Sequence, residues 1–191
     1  MRFLSQSGVV CNIYLQFEKR MENKMEFTLP LSSWIWIPSW NAEDNDSTQI
    51  VYFRKVLELD QVPENFIVKL SADSRYKFYV NEKLIEVGPS KGDNNIWFYD
   101  EKNIAPYLKN GKNVLAAVVL RYPTNHHKGN HGIWRTETPG FYLNGCYVDQ
   151  TGNEVKIMAD TTWRCKKETR VKIVSENPFF APLHILEKAE G

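Results

Sequence analysis

The chain has 191 residues, of which 42% are hydrophobic, so it can form one domain with a real core, and disorder of the whole chain is excluded. Its 24 Lys and Arg residues balance 23 Asp and Glu residues, which leaves a formal charge of +1. This balance provides no long-range field for nucleic acid or an anionic membrane, and neither is predicted as a partner. Aromatic residues reach 13%, with 6 Trp, and flat rings often face a ligand or a partner.

Both ends of the chain are predicted to lie outside the folded domain. Residues 1–24 are interpreted as a leader segment, with Met25 as the favoured start of the protein. Residues 25–180 are assigned to a β-sandwich domain. Residues 181–191 are assigned to the start of a linker to a downstream domain, because the final segment PFFAPLHILEKAEG has no capping or turn signal.

The cysteines and the first residues indicate the compartment. Cys11, Cys146 and Cys165 are scattered and odd in number, so they form no disulfide framework, which is typical of a reducing compartment. Residues 3–17 resemble the core of a signal peptide, but polar residues interrupt them and no small-residue cleavage site follows. The sequence therefore predicts a cytoplasmic protein.

Short strand patterns dominate the chain from residue 50 onward. In chain order they are 50–59, 66–72, 75–80, 83–87, 96–100, 114–120, 140–149, 154–159, 162–167 and 170–174. Tyr76, Phe78 and Val80 alternate with Arg and Lys, so they are expected to share one face of their strand. Many short strands separated by turns predict an all-β fold, a jelly-roll β-sandwich of two sheets.

Three connections carry more specific predictions. Asn81 and Glu82 are expected to form a tight hairpin turn, since Asn tolerates positive φ. Residues 103–113 are expected to form a brief helical turn that ends at Gly111 in the left-handed conformation. Residues 114–120 are apolar on both faces, which predicts a central strand that is fully covered.

Recognisable catalytic motifs are absent from the sequence. It contains no glycine-rich dinucleotide or phosphate loop, no HExxH, no GxSxG and no CxxC pair. Glycoside hydrolysis needs two carboxylates at a defined separation, and the sequence nominates no pair among its 23 acidic residues. The chain alone is therefore predicted not to be a catalyst, and a small enzyme with an unrecognised site is kept as an alternative.

A first candidate site is the group His126, His127 and His131 on the long loop 121–140, which holds three of the four histidines. Neutral imidazoles bind zinc, but no Cys lies nearby to complete a ligand set. A solvated loop is the interpretation that this pattern favours.

A second candidate is the loop that precedes Trp97. Asp93 and Asn94 offer hard oxygen ligands, so the cofactor that this loop suggests is calcium. The same side chains, beside the Trp97 ring, could hydrogen-bond the vicinal hydroxyls of a sugar. Asp and Asn are also ordinary turn residues, and a plain turn is the alternative.

The tryptophans form a third candidate set. Trp34 and Trp36 are expected to share one face of a strand and, with Trp40, to pack between the sheets. Trp134, on the long loop, is expected to be exposed and able to stack on a pyranose ring. Trp163, in a strand with Arg164 and Lys166, is expected to be buried or at an interface.

The succession of segments resembles the N-terminal region of bacterial α-L-rhamnosidases. The matching segments are SSWIWIPSW, VYFRKVLEL, SADSRYKFYVNEKLIEVGP, WFYDEKNIAPYLKNGKNVLAAVVLRY, TPGFYLNG and DTTWRC, which span roughly residues 33–175. They are mostly folding residues rather than a catalytic signature. The usual Asn-Gly hairpin of the family is Asn81-Glu82 here, a departure that concerns the geometry of the turn.

The resemblance implies a galactose-binding-domain-like sandwich. In the family, such sandwiches precede a helical barrel that carries the catalytic carboxylates, and no segment of that length follows residue 175, so no catalytic residue is carried over. Related sandwiches include modules that bind L-rhamnose with the help of calcium and others that only support the barrel.

The leading hypothesis is therefore a non-catalytic, carbohydrate-associated domain of an α-L-rhamnosidase-like glycoside hydrolase. Its sugar-binding candidates are Asp93, Asn94, Trp97 and Trp134, with Asp93 and Asn94 as calcium ligands. Its expected partners are a rhamnose-containing glycan and the downstream catalytic domain. The alternative is a structural domain that docks on the barrel and leaves a contiguous apolar patch, to which the segment PFFAPLHIL could belong.

Overall fold

The computed structural model describes residues 2–5, 34–41, 43, 47–90, 96–122, 139–174 and 186–189. In these ranges the regular structure is almost entirely β-strand. The strands are β1 (Arg2–Ser5), β2 (Trp34–Ile35), β3 (Gln49–Leu59), β4 (Phe66–Asp73), β5 (Arg75–Val80), β6 (Lys83–Gly88), β7 (Ile96–Asn103), β8 (Gly111–Arg121), β9 (Gly140–Val148), β10 (Glu154–Met158), β11 (Arg164–Lys167), β12 (Val171–Val174) and β13 (Leu186–Ala189). No helix in the described ranges has the length and apolar character needed to cross a membrane.

The strands form two main sheets. One has the order β1-β7-β4-β9-β10, with β2 paired to β9, and the other has the order β11-β3-β8-β5-β6. The pairs are antiparallel except β1 with β7, which is parallel. A separate antiparallel pair joins β12 and β13. β1 and β13 fall within segments 1–24 and 181–191, which are predicted to lie outside the domain, and those boundaries stay predictions.

The two main sheets share one hydrophobic core. At its centre, Phe53 of β3 stacks on Phe141 of β9 with ring centroids 5.4 Å apart. Tyr76 of β5 meets the same ring edge-on at 6.3 Å, and Trp163 does so at 5.7 Å. Because Phe141 belongs to one sheet and Phe53 and Tyr76 to the other, these contacts join the layers. The predicted all-β sandwich is confirmed.

The hairpin between β5 and β6 is formed as predicted. Asn81 and Glu82 have φ values of 48° and 70°, the left-handed values that a tight two-residue hairpin requires. The Asn81 side chain also binds outside the hairpin: its Nδ2 donates to the carbonyl of Tyr107 at 3.0 Å, and its Oδ1 accepts from the amide of Val114 at 2.9 Å. The turn is therefore attached to the beginning of β8.

The predicted helical turn is a short 3-10 element, Ala105–Tyr107, and Gly111 follows it with a φ of 80°. Gly111 is also the first residue of β8, the central strand of its sheet as predicted. The prediction that β8 is fully covered is wrong. Its inner face is buried, but the alternate positions from Val114 to Leu120 are only half-buried, because no second layer lies over them among the described residues.

Candidate functional site

The strand ends that border the two candidate loops lie at the same end of the sandwich. β6 ends at Gly88, which pairs with Tyr76, and β8 ends at Arg121, which pairs with Gln49. Asp73 at the end of β4 pairs with Gly140 at the beginning of β9. These register positions define what we call the loop end of the sandwich. Loops carried by such a rigid scaffold are common positions for binding residues.

Most of the predicted site residues belong to connections whose flanking strands end at the loop end of the sandwich. These residues lie outside the described ones. Asp93 and Asn94 belong to the connection between β6 and β7, and Trp134 belongs to the connection between β8 and β9. The histidine group at 126–131 lies in the second connection as well. Trp97 is in β7, where its backbone pairs with Phe3 of β1. The sugar and calcium assignments of these residues stay predictions.

A buried ion pair joins the two sheets at the loop end. The Nη1 atom of Arg121 donates to Oδ1 of Asp73 at 2.9 Å, and both side chains are almost fully buried. The Ser74 hydroxyl donates to the same carboxylate at 3.1 Å and accepts from the Tyr122 amide at 3.2 Å. Since Asp73 ends β4 and Arg121 ends β8, the pair holds the bases of the loops in one geometry. No local sequence signal marked this pair, because its two residues are 48 positions apart along the chain.

A second polar contact between the sheets lies beside the first candidate loop. The Tyr76 hydroxyl donates a hydrogen bond to Oδ2 of Asp100, while Oδ1 of Asp100 is buried and has no hydrogen-bond partner among the described residues. Burial raises the pKa of Asp100, although the bond from Tyr76 acts in the opposite direction. Burial and the neighbouring Asp100 raise the pKa of Tyr76 as well.

Close packing at Gly88 accompanies this contact. A β-carbon at Gly88 would lie 2.0 Å from Oδ2 of Asp100, so glycine is required at the end of β6. The next residue is also held, because Nη1 of Arg75 donates to the carbonyl of Pro89 at 3.1 Å. Lys102 and Glu86 add an ion pair between the sheets at 2.7 Å. The start of the candidate loop is thus fixed by contacts that sequence reasoning did not identify.

The described tryptophans are mostly structural. Trp36 packs on Phe53 of the core at 5.8 Å, and Trp40 also packs against the core, as predicted. Trp163 is buried, as predicted, and its Nε1 donates to the carbonyl of Met158 at 2.9 Å. The prediction that Trp34 and Trp36 share one strand face is wrong, because β2 ends at residue 35 and Trp34 packs instead on Tyr142 at 5.4 Å.

Metal-binding clusters can be assessed only in the part of the chain that the structure describes. There, no group of three or more His, Cys, Asp or Glu side chains is arranged to hold a metal ion. Cys146 and Cys165 are both free and exposed.

This fold defines a class, the two-sheet β-sandwich, and solved structures share it. An α-L-rhamnosidase from Streptomyces avermitilis, solved with L-rhamnose, aligns with a TM-score of 0.54 and 18% identity over 83% of this chain and 14% of that one. A GH78 family rhamnosidase from Bacillus sp. GL1 aligns with a TM-score of 0.57 and 23% identity over 78% of this chain and 15% of that one. The resemblance to α-L-rhamnosidases is thus confirmed at the level of the fold.

A lectin has the same arrangement. The lectin of Pleurotus ostreatus, solved with GalNAc, aligns with a TM-score of 0.50 and 21% identity over 85% of this chain and 43% of that one. The sequence matches no protein-family model and no curated protein. This chain therefore corresponds in fold to about a seventh of the rhamnosidase chains and to less than half of the lectin chain.

Proposed function

We propose that this chain is a non-catalytic, carbohydrate-associated domain of the kind that forms part of α-L-rhamnosidase-like glycoside hydrolases. One observation carries the proposal: the sandwich is similar both to a segment of rhamnosidases and to a lectin. The rhamnosidases and the lectin are, by their names, proteins that recognise sugars. The sequence of this chain, in contrast, nominates no pair of catalytic carboxylates of the kind that a glycosidase needs. The finer assignment is a galactose-binding-like jelly roll that binds L-rhamnose or a related sugar.

The proposed sugar site is at the loop end of the sandwich. Asp93 and Asn94 would hydrogen-bond sugar hydroxyls, directly or through a calcium ion, and Trp97 or Trp134 would stack on the pyranose ring. Support comes from the strand ends at Gly88 and Arg121, which bring the connections that carry these residues to one end. The ion pair of Asp73 and Arg121 would keep that scaffold rigid.

Thermal unfolding of the purified chain tests the sugar site. A ligand that binds only the folded state raises the free energy of unfolding by about 2.7 kcal/mol at a hundredfold excess over its Kd. We expect L-rhamnose to raise the unfolding midpoint in the presence of calcium and a chelator to remove the effect. GalNAc and glucose serve as comparison sugars.

Matched variants connect this shift to the loop. Asp93→Ala should abolish the rhamnose-dependent shift, whereas Asp60→Ala should leave it unchanged, since Asp60 is an exposed turn residue after β3, at the opposite end of the sandwich. If the rhamnose-dependent shift of the unfolding midpoint persists in Asp93→Ala, the sugar site lies elsewhere in the chain. If no sugar and no metal shifts the native chain, the binding proposal fails.

A structural role is the second candidate function, in which the domain supports a helical-barrel catalytic domain without binding sugar. It is favoured by exposed large apolar residues on the five-stranded sheet. The remaining alternative, a small enzyme, predicts hydrolysis of an aryl rhamnoside by the isolated chain, and measurable turnover would overturn the non-catalytic proposal.

A further inference from the structure

The outer face of the five-stranded sheet carries an ordered pattern of side chains. One cross-strand row contains, from β11 to β6, Lys166, Tyr52, Val118, Lys77 and Val87. Directly opposed residues in a sheet lie on the same face, so these side chains form a continuous line. At about 4.8 Å per strand spacing, the line is roughly 19 Å long.

A second cross-strand row lies two residues along each strand from the first. On β6 the separation is three residues, because a β-bulge interrupts the register there. This second row contains Arg164, Arg54, Ala116, Tyr79 and Leu84. We call the surface formed by these two rows the basic-apolar face. Its middle, on β8, is aliphatic, and so is its edge on β6. Three of its cations lie on β11 and β3, and the fourth lies on β5.

The basic-apolar face has an unbalanced charge although the whole chain is nearly neutral. Its two rows contain four cations and no carboxylate. The carboxylate of Glu168, which lies beside Tyr52, already accepts from the Tyr52 hydroxyl at 2.8 Å and from Arg170 at 3.2 Å. It is therefore engaged rather than available to neutralise Arg54 or Lys166.

Apolar side chains are also unusually accessible here. Tyr52 is 37% exposed, Leu84 48% and Val87 55%, and Val56 in the adjoining row is 44% exposed. Among the residues whose side chains the structure describes, only one other large hydrophobic residue, Val148, is exposed to this degree. A clustered apolar patch of this kind marks an interaction surface more often than scattered exposed residues do.

We propose that the basic-apolar face is a docking surface for a partner protein whose own patch combines apolar side chains with carboxylates that meet the cations on β11, β3 and β5. Protein interfaces combine buried apolar side chains with polar ones, and Tyr and Arg are enriched in them. The four cations provide the charge complementarity that selects carboxylates on the partner. This proposal goes beyond sugar binding and does not depend on it.

Two other occupants fit less well. In a symmetric dimer through this face, the like-charged surfaces of two copies would oppose each other, because the same patch meets itself. An acidic polysaccharide would satisfy the cations, but Val118, Ala116 and Leu84 offer no hydrogen bonds to sugar hydroxyls.

Selection from a displayed library of random peptides on the immobilised native chain tests the proposal. We expect the enriched peptides to combine Asp or Glu with apolar residues and to bind more weakly as salt increases. The double variant Arg54→Glu, Lys166→Glu should weaken their binding by about tenfold or more, because like charges would then face each other. The double variant Arg54→Gln, Lys166→Gln removes the two charges without introducing repulsion, so it is more certain to fold. It should also weaken peptide binding, but less than the charge-reversal variant does.

The matched control reverses the same number of charges elsewhere. Lys109→Glu with Lys156→Glu changes two exposed cations outside the face and should leave binding within about twofold. Equal binding to the native chain and to both face variants, or no enrichment of acidic peptides, would overturn the proposal. So would polygalacturonate binding or a sedimentation dimer that disappears in the face variants.

The docking proposal and the sugar-binding proposal can be disproved independently of each other. The sugar assay depends on Asp93 and the loop end, whereas peptide binding depends on Arg54 and Lys166 on the sheet face. A chain that binds rhamnose but no acidic peptide would disprove only the docking surface.

Discussion

At the scale of single residues, two buried carboxylates of one sheet each have a specific partner in the other sheet. Asp73 is matched by Arg121, and Asp100 by the Tyr76 hydroxyl. The sequence presents all four as residues in or next to strands, but their partners are 48 and 24 positions away along the chain. Such pairs depend on register and on the approach of the two sheets, so local pattern could not identify them.

Glu168 carries the clearest prediction at this scale. Its carboxylate accepts from the side chain and amide of Arg170 and from the Tyr52 hydroxyl, and these bonds lower its pKa to about 2. A folded-state pKa below the ordinary value of about 4.3 means that the ionised form stabilises the fold. This contribution is complete above the ordinary value and is lost as pH falls towards the folded-state pKa.

Glu168→Gln should therefore lower the free energy of unfolding near neutral pH and flatten its decline between about pH 4.3 and pH 2. Urea unfolding across a pH series measures both effects. Glu64→Gln, at an exposed turn position, is the control and should change stability by less than about 0.5 kcal/mol. Identical pH curves for native chain and Glu168→Gln would contradict the prediction.

At the scale of elements, alternation along the strands was informative. In β5, Tyr76, Phe78 and Val80 are buried and the intervening residues are more exposed, as the period of two predicted. In β8 the apolar residues on both faces predicted full cover, but the second face is half-buried. Apolar residues on both faces show that a strand can be buried on both sides. Whether a second layer packs on its outer face depends on the rest of the fold.

The hairpin turn gives a prediction about stability. Glu82 has a φ of 70°, a region in which a side chain with a β-carbon is strained, whereas glycine is not. Glu82→Gly should raise the free energy of unfolding by about 0.5 kcal/mol, after allowing for the greater freedom of glycine in the unfolded chain.

Calorimetry should detect this gain as an increase in Tm of about 1–2 °C. Glu82→Ala removes the same carboxylate but keeps the β-carbon, so it should not reproduce the gain. An equal increase in both variants would show that charge, rather than backbone conformation, is responsible.

At the scale of the whole molecule, Phe141 joins the two sheets through Phe53, Tyr76 and Trp163. Its side chain is fully buried. Phe141→Ala should lower the free energy of unfolding by about 3–5 kcal/mol, because the lost ring leaves a cavity between layers that cannot collapse on it.

Val148→Ala, near the end of the same strand, is the matched control. Val148 is 59% exposed, so its truncation should cost less than about 0.5 kcal/mol in urea unfolding. Comparable losses in the two variants would mean that the inter-sheet cluster is not the main source of stability.

The sequence by itself determined the all-β class, most of the strands, the β5–β6 turn and the resemblance to the rhamnosidase sandwich. These features follow from local rules: alternation of apolar residues, turn chemistry and motif order. For the candidate site, it nominated loop residues by chemical type only.

The tertiary structure decided which strands are neighbours, and hence that the two candidate connections leave the same end and that four cations share one face of a sheet. Sheet order and register join residues that are far apart in sequence. The ion pair of Asp73 and Arg121, the contact of Asp100 with Gly88, and the basic-apolar face all arise in this way. They depend on non-local packing, which local sequence patterns do not encode.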